Sequence, residues 1–290
     1  MIFLGWMING LRIGSIYALI ALGYNMVYGI VRLINFAHGD IIMVGAYTIW
    51  VVVVMLGAPV WLSVLLAVVI CATFGMLIER LAYKPLRNAP RISLLITALA
   101  VSIFLQNLFM RIFKADPKPL PINLGVKPLH FAGLVVDFSM ILTIVVSVLV
   151  MIFLWFLVQR SKIGKAMRAV SEDSDAARLM GINVNTTISF AFGTGSGLAG
   201  LGAFFYSLAY SQISFNMGSM PGLKAFVAAV LGGIGSIPGA VVGGYLLGIA
   251  ESIVRGIASQ WADAVVFLIL IVVLLVKPTG LLGQNVKEKV

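Results

Sequence analysis

The stretch Gln159–Asn185, QRSKIGKAMRAVSEDSDAARLMGINVN, carries eight charges between two long apolar runs. A charged helix of this kind cannot span a bilayer, so it must lie outside it. From Lys162 to Met180 the pattern suits an amphipathic helix, with Ile163, Ala166, Met167, Val170, Ala177, Met180 and Ile182 on its apolar side. Ser171-Glu172-Asp173-Ser174-Asp175 interrupts that pattern. Ser171 is expected to cap a second helix whose acidic first turn suits the helix dipole. Gly181 is expected to stop that helix. The stretch therefore reads as a bent helix–turn–helix on a water-facing side. A helix resting on anionic lipid is the alternative, and the acidic patch argues against it. A docking element for a soluble partner accounts for both signs of charge.

Around this island the chain is suited to lipid. Of its 290 residues 61% are hydrophobic and only 10% charged, with a mean hydropathy of +1.09. Soluble domains carry about 25% charged residues. Several runs reach the roughly 20 residues needed to cross about 30 Å of hydrocarbon. They are continuously apolar rather than alternating, so they are helices and not barrel strands. The expectation is an all-α polytopic membrane protein of about 8–9 transmembrane helices, with spans near 8–31, 36–56, 59–78, 92–112, 138–158, 187–210, 221–236, 237–258 and 261–276. Residues 1–290 read as a single transmembrane domain. No basic n-region or small-residue cleavage site marks a signal peptide. The lone cysteine, Cys71, excludes an internal disulfide and reads as packing.

Basic residues orient the spans. Arg32, the cluster Arg80, Lys84, Arg87 and Arg91, the group Arg160, Lys162, Lys165, Arg168 and Arg178, and Lys277, Lys287 and Lys289 place 13 of the 20 Lys and Arg on one side. The positive-inside rule makes that side cytoplasmic, with the N-terminus outside and the C-terminus inside. This accounts for the net charge of +10 without nucleic acid. The long outer loop 113–137 holds Lys114, Lys118 and Lys127, and is stiffened by Pro117, Pro119, Pro121 and Pro128. The orientation holds if 221–236 crosses fully. A broken or re-entrant segment there would flip the last helices.

Small residues recur at helical spacing: Gly10 and Gly14; Gly193, Gly195, Gly197, Gly200 and Gly202; Gly235, Gly239, Gly243, Gly244 and Gly248. In lipid such strips allow close backbone approach, for packing or for sliding between conformations. A possible internal repeat is suggested by two polar, Gly-containing breaks that each open an apolar run, Asn35–Asp40 and Asn216–Gly222. Ionisable groups inside spans are costly and mark candidate sites. They are Arg12, His38, Asp40, Lys224, Glu251 and Arg255, with Asp263 nearer an end. Asp40 reads either as a ligand acceptor or as the cap of the second helix. Glu251 and Arg255, four apart, read as an ion pair, and Lys224 as a residue able to snorkel outward.

An intramembrane hydrolase fits poorly. Ser196 lies between Gly195 and Gly197, but Thr194 stands where a nucleophile turn needs glycine, and the only histidines are His38 and His130. No residue cluster supplies metal ligands. A passive channel would not need a docking element of mixed charge. No Gly-Lys-Ser/Thr phosphate loop is present, so any ATP must be bound by another chain.

Asp175-Ala176-Ala177-Arg178-Leu179-Met180-Gly181 resembles the Glu-Ala-Ala-x-x-x-Gly loop of importer-type ABC permeases, with Asp in place of Glu. The Ile-x-Leu-Pro usual some ten residues later is replaced by Ala191-Phe192-Gly193-Thr194. Further blocks are similar to the branched-chain amino acid permeases, most of all their LivH-type subunit: Asn9-Gly10, Gly14–Gly23, Tyr28-Gly29-Ile30, Ile34–Asp40, Gly45-Ala46-Tyr47 and Leu231–Ala240. The resemblance covers almost the whole chain. It implies an inner-membrane permease of an ATP-driven importer, with a second homologous permease subunit, two cytoplasmic ATPase subunits holding ATP and Mg, and a periplasmic binding protein. It implies no cofactor and no enzymatic activity in this chain. Glu172, Asp173, Asp175, Ala176, Ala177 and Gly181 would couple to the ATPases. Asn35, His38, Asp40, Asn216 and Lys224 would line the substrate path, where a zwitterionic amino acid needs an acceptor for its ammonium and donors for its carboxylate. Branched-chain amino acids are the implied cargo, and urea or short amides are carried by close relatives.

Overall fold

A computed structural model describes residues 2–31, 35–87, 89–122, 124–126, 129–131 and 134–283. Arg32, Ile34, Lys127, Pro128, Lys287 and Lys289, all invoked above, lie outside the described residues. The helices are α1 (Ile2–Val31), α2 (His38–Trp50), α3 (Val60–Ile78), α4 (Arg91–Phe113), α5 (Phe138–Arg160), α6 (Lys162–Glu172), α7 (Ser174–Leu179), α8 (Val184–Tyr210), α9 (Ser219–Gly232), α10 (Ile237–Ala258) and α11 (Ala262–Val276). α2 and α3 continue into single π turns at Val51–Met55 and Glu79–Tyr83. In the Pro-rich loop the only regular structure among the described residues is short strands, β1 (Lys118–Pro119), β2 (Leu129–Phe131) and β3 (Leu134–Val136).

Among the described residues seven runs are long and apolar enough to cross a membrane. Six match expected spans closely; the seventh, Ile237–Val276, joins α10 and α11 across a 3₁₀ turn at Ser259–Trp261. The expected span at 221–236 is α9, only 14 residues long, or about 21 Å at 1.5 Å per residue. It is too short to cross as a helix alone.

Contacts divide the chain into two compact units, each assembled from separate segments. Unit 1 comprises residues 1–25, 127–155 and 224–290. Its axis is the antiparallel pair α1 and α10. A Cβ on Gly10 would lie 2.7 Å from the Ile249 Cα, and one on Gly14 2.8 Å from the Tyr245 Cα. This is the small-residue packing expected in lipid. Tyr245 Oη ties the pair to α5 through Ser15 Oγ at 3.1 Å and Ser147 Oγ at 2.9 Å. The end of α9 is closed by the C-terminal segment. The Leu281 and Leu282 N–H groups donate to the Leu231 and Gly232 carbonyls, each at 2.9 Å. These carbonyls have no intrahelical donor.

Unit 2 comprises residues 26–126 and 156–223. Here α2, α3 and α8 pack face to face. A Cβ on Gly45 would lie 2.9 Å from Ala203 Cβ and 3.1 Å from Cys71 Sγ, and Gly200 approaches the Ala67 carbonyl. Cys71 is fully buried, as a packing residue. A fourth strand, β4 (Gln212–Ile213), follows α8 and pairs antiparallel with β1, Lys118 opposite Ile213.

Candidate functional site

The charged stretch emerges in unit 2 as two helices with a sharp corner at each end. Ser161 caps α6, its Oγ accepting from Gly164 N–H at 2.9 Å. Gly164 is required there, because a Cβ would collide with the Leu157 and Val158 carbonyls of the preceding helix. Met167 and Val170 are buried, which makes α6 amphipathic as read. The break falls two residues later than expected. Asp173, not Ser171, caps α7, its Oδ1 accepting from the Asp175 and Ala176 N–H groups at 2.9 and 3.0 Å. Ser171 Oγ instead donates to the Arg168 carbonyl at 2.7 Å. Both residue types make good caps, and only the extended backbone at 173 selects between them.

Gly181 ends α7 in the left-handed region, at φ +80. Its N–H donates to the Arg178 carbonyl and that of Ile182 to the Ala177 carbonyl, each at 3.0 Å. This is a Schellman stop. Ala177 is buried, whereas Glu172, Asp173, Asp175 and Ala176 are exposed. Met180 does not belong to the buried side: it is 82% exposed, beside Leu179 at 89%. The stop turns these two apolar side chains outward beside the exposed Asp175–Arg178 pair, leaving an apolar tip uncovered among the described residues.

A second cluster lies in the same unit at the entries of α2 and α9. Asp40 does not cap α2: the N-cap is Ala37, with no side-chain cap bond. The turn into α2 is made by Asn35, whose Oδ1 accepts from the Ala37 N–H at 3.0 Å and the Tyr83 hydroxyl at 2.8 Å. Its Nδ2 is buried and unpartnered among the described residues. Asp40 is 2% exposed, and its Oδ1 accepts from Gln106 Nε2 on α4 at 2.8 Å. Gln106 Nε2 also reaches Ser219 Oγ, the start of α9, at 3.2 Å. Asp40 makes no ion pair among the described residues. His38 is buried in the same first turn. Asn216 is exposed and shapes the turn before α9. Its Oδ1 accepts from Ser214 Oγ at 2.9 Å, and its carbonyl from the Ser219 N–H at 3.1 Å.

The two polar breaks singled out in the sequence therefore meet. Gly39 and Gly218 touch backbone to backbone, and a Cβ on Gly39 would lie 2.7 Å from the Gly218 carbonyl oxygen. Gln106 escaped the sequence reading. Its signal was there: with Asn107 it forms the one amide pair inside an apolar span.

Lys224 belongs to unit 1, where it does not turn outward. Its Nζ donates to Glu251 Oε1 at 2.8 Å and Asp263 Oδ1 at 2.6 Å. Glu251, 0% exposed, also accepts from Arg255 and, at 2.7 Å, from the Tyr17 hydroxyl. The expected Glu251–Arg255 pair is present, as one edge of a larger cluster. Glu251→Ala leaves Lys224 and Arg255 short of a buried partner, and breaking such a pair costs about 3–5 kcal/mol. A correspondingly lower unfolding temperature in detergent is expected, with Glu251→Gln intermediate. Among the described residues no group of three or more His, Cys, Asp or Glu side chains could hold a metal.

Comparison with known proteins places this architecture. Residues 6–274 match the family model for the permease component of branched-chain amino acid transport systems. The chain is 43% identical over 301 residues to the high-affinity branched-chain amino acid transport system permease protein BraD of Pseudomonas aeruginosa, covering 99% of this chain and 98% of that one. It is 41% identical over 302 residues to the protein of the same description, LivH, of Escherichia coli, with the same coverage. A probable LivH of Methanocaldococcus jannaschii is 29% identical over 94% of this chain and 90% of its own. No solved structure matches significantly.

Proposed function

Since the chain belongs to the family of branched-chain amino acid transport permeases, we propose that it is one membrane subunit of an ATP-driven importer for those amino acids. It is a multi-pass protein of the inner membrane and a transport subunit, not an enzyme. Its assembly comprises a second homologous permease subunit, two cytoplasmic ATPases that bind ATP and Mg, and a periplasmic binding protein. The observation that carries this reading is the apolar Leu179–Met180 tip presented on α7 by a capped start and a Schellman stop. Such a tip in water needs a cover, and a cleft in an ATPase supplies one. Glu172, Asp173 and Asp175 add the charge that fixes the register of docking.

The N-terminus lies outside and the C-terminus inside. In unit 1 Ser236, at the start of α10, sits beside Asn25 of α1, whose Nδ2 donates to the Ser236 carbonyl at 2.9 Å. α10 therefore starts on the side where α1 ends. In unit 2, β4 pairs with the 113–137 loop, which follows four crossings and so lies on the N-terminal, outer side. Residues 214–236, a turn followed by the short α9, then connect the two sides.

Asp40 accepts the ammonium of the cargo. A buried carboxylate satisfied only by neutral groups, here the Gln106 amide and the Ser102 hydroxyl, is costly, and a cationic partner relieves that cost. Asn35, His38 and Asn216 lie along the same path in unit 2, and Lys224, in unit 1, is a separate candidate for contact with the cargo. Charge-assisted hydrogen bonds contribute about 1.5–3 kcal/mol, so Asp40→Asn is expected to cut leucine uptake roughly 10- to 100-fold while the ATPases still copurify. Unchanged uptake removes Asp40 from the path. The assembly itself is tested by ATP hydrolysis in reconstituted vesicles with binding protein and leucine, valine, urea or acetamide. Stimulation by leucine and valine is expected. Stimulation by urea or acetamide alone overturns the cargo.

A further inference from the structure

We infer that unit 2 carries a binding site for an anionic phospholipid at the end of α3, built around Arg80 and Lys84. These residues, with Met76, Asn185, Thr186, Ser189 and Phe190, line a cavity of about 440 Å3. That lies within the range of small-ligand sites. α3 ends there in a π turn and a 3₁₀ turn, Glu79–Tyr83 and Lys84–Leu86, which throw Arg80 and Lys84 outward. Both are exposed, and neither makes an ion pair among the described residues.

The acid that would neutralise them is engaged elsewhere. Glu79 is 0% exposed, pairs with Arg87, and accepts from Ser189 Oγ at 2.6 Å. Arg87 is held further by Asn185 Oδ1 at 2.7 Å. The cavity therefore keeps two positive charges uncompensated beside the Thr186 hydroxyl, while Ser189 Oγ is spent on Glu79. Its other wall is apolar, made by Met76 and Phe190.

This pairing of a cationic rim with an apolar wall is situated where a membrane span ends, since α3 and its two turns form the candidate span Val60–Leu86. A phosphodiester headgroup suits the two cations, and the first part of an acyl chain suits Met76 and Phe190. A soluble phosphate would leave the apolar wall unused, and a zwitterionic lipid would bring a cation against Arg80 and Lys84. Basic pockets between membrane helices select anionic lipids for these reasons. By the orientation proposed above, on which this point alone rests, the site faces the inner leaflet.

The test uses the assembled permease complex, stripped of lipid in detergent and analysed by native mass spectrometry after addition of phosphatidylglycerol or phosphatidylcholine. Two cations near an anionic lipid correspond to a preference of about 30-fold for phosphatidylglycerol. Arg80→Gln/Lys84→Gln should abolish that preference, and Lys114→Gln, in the outer loop, should keep it. Should the double variant not assemble, Lys84→Gln alone gives the same comparison with a smaller loss. Equal retention of the two lipids by the wild type overturns the site, as does a preference that survives the double change. Displacement of bound phosphatidylglycerol by excess inorganic phosphate marks a soluble-anion site and overturns the lipid assignment. Loss of the ATPases from the variant with lipid preference intact marks a protein contact, and also overturns it.

Discussion

Leu179→Glu/Met180→Glu is expected to strip the ATPases from the permease while leaving it in the membrane. The two side chains are 89% and 82% exposed, so their replacement removes no contact from this chain's own core. The cap at Asp173 and the stop at Gly181 are main-chain and capping interactions that the change leaves in place. What is lost is burial against the partner. Covering each side chain is worth about 1.5–3 kcal/mol, so the pair accounts for at least about 3 kcal/mol, or more than 100-fold in affinity. Two added carboxylates beside Asp173 and Asp175 raise the cost further. Copurification of tagged ATPases and leucine uptake should fall together. Retention of both at wild-type levels would place the ATPase contact elsewhere. Gly181→Val tests the same element through the backbone, because a β-branched residue at φ +80 is strained.

Gly218→Ala is expected to destabilise the permease strongly. The added Cβ would overlap the Gly39 carbonyl. Both sides of that contact are backbone, so no side-chain rotation relieves it. Overpacking usually costs about 1–3 kcal/mol, and a backbone clash lies at or above the upper end. Gly197→Ala is the matched control. Its nearest neighbours lie 3.5 Å away, an ordinary contact, and alanine is the better helix former by about 1 kcal/mol. Thermal unfolding of the purified complex should separate the two by several degrees in opposite directions. Similar behaviour of both variants would mean that the Gly39–Gly218 contact does not hold the junction.

How far the sequence could be read varies from element to element. α6 and α7 were legible because charge and amphipathic spacing are local. The stop at Gly181 was legible because few other residues tolerate its backbone. The start of α7 falls at Asp173 rather than Ser171, since two good caps two residues apart differ only in backbone angle. Met180 was assigned inward because helical periodicity runs past the residue at which the chain turns. The two polar breaks were legible as breaks, but not as partners 179 residues apart in the chain, counted from Gly39 to Gly218. Asp40 looked like a cap, since acids in a first turn often are. Asn35 took that work, and Gln106, 66 residues away, took Asp40.

Composition and charge by themselves pointed to the solvent, the helical class and a place for the charged element outside the bilayer, whereas the family likeness lay in short motifs such as Asp175–Gly181 and Leu231–Ala240. The first three follow from sums over segments, which lipid and water sort without regard to the rest of the fold. Tertiary structure alone decided which buried polar group satisfies which. Lys224 could have turned outward by sequence, yet it closes a cluster with Glu251 and Asp263, 27 and 39 residues away. In a low-dielectric interior every such group must find a partner, and that partner is set by which helix faces meet rather than by neighbours in the chain.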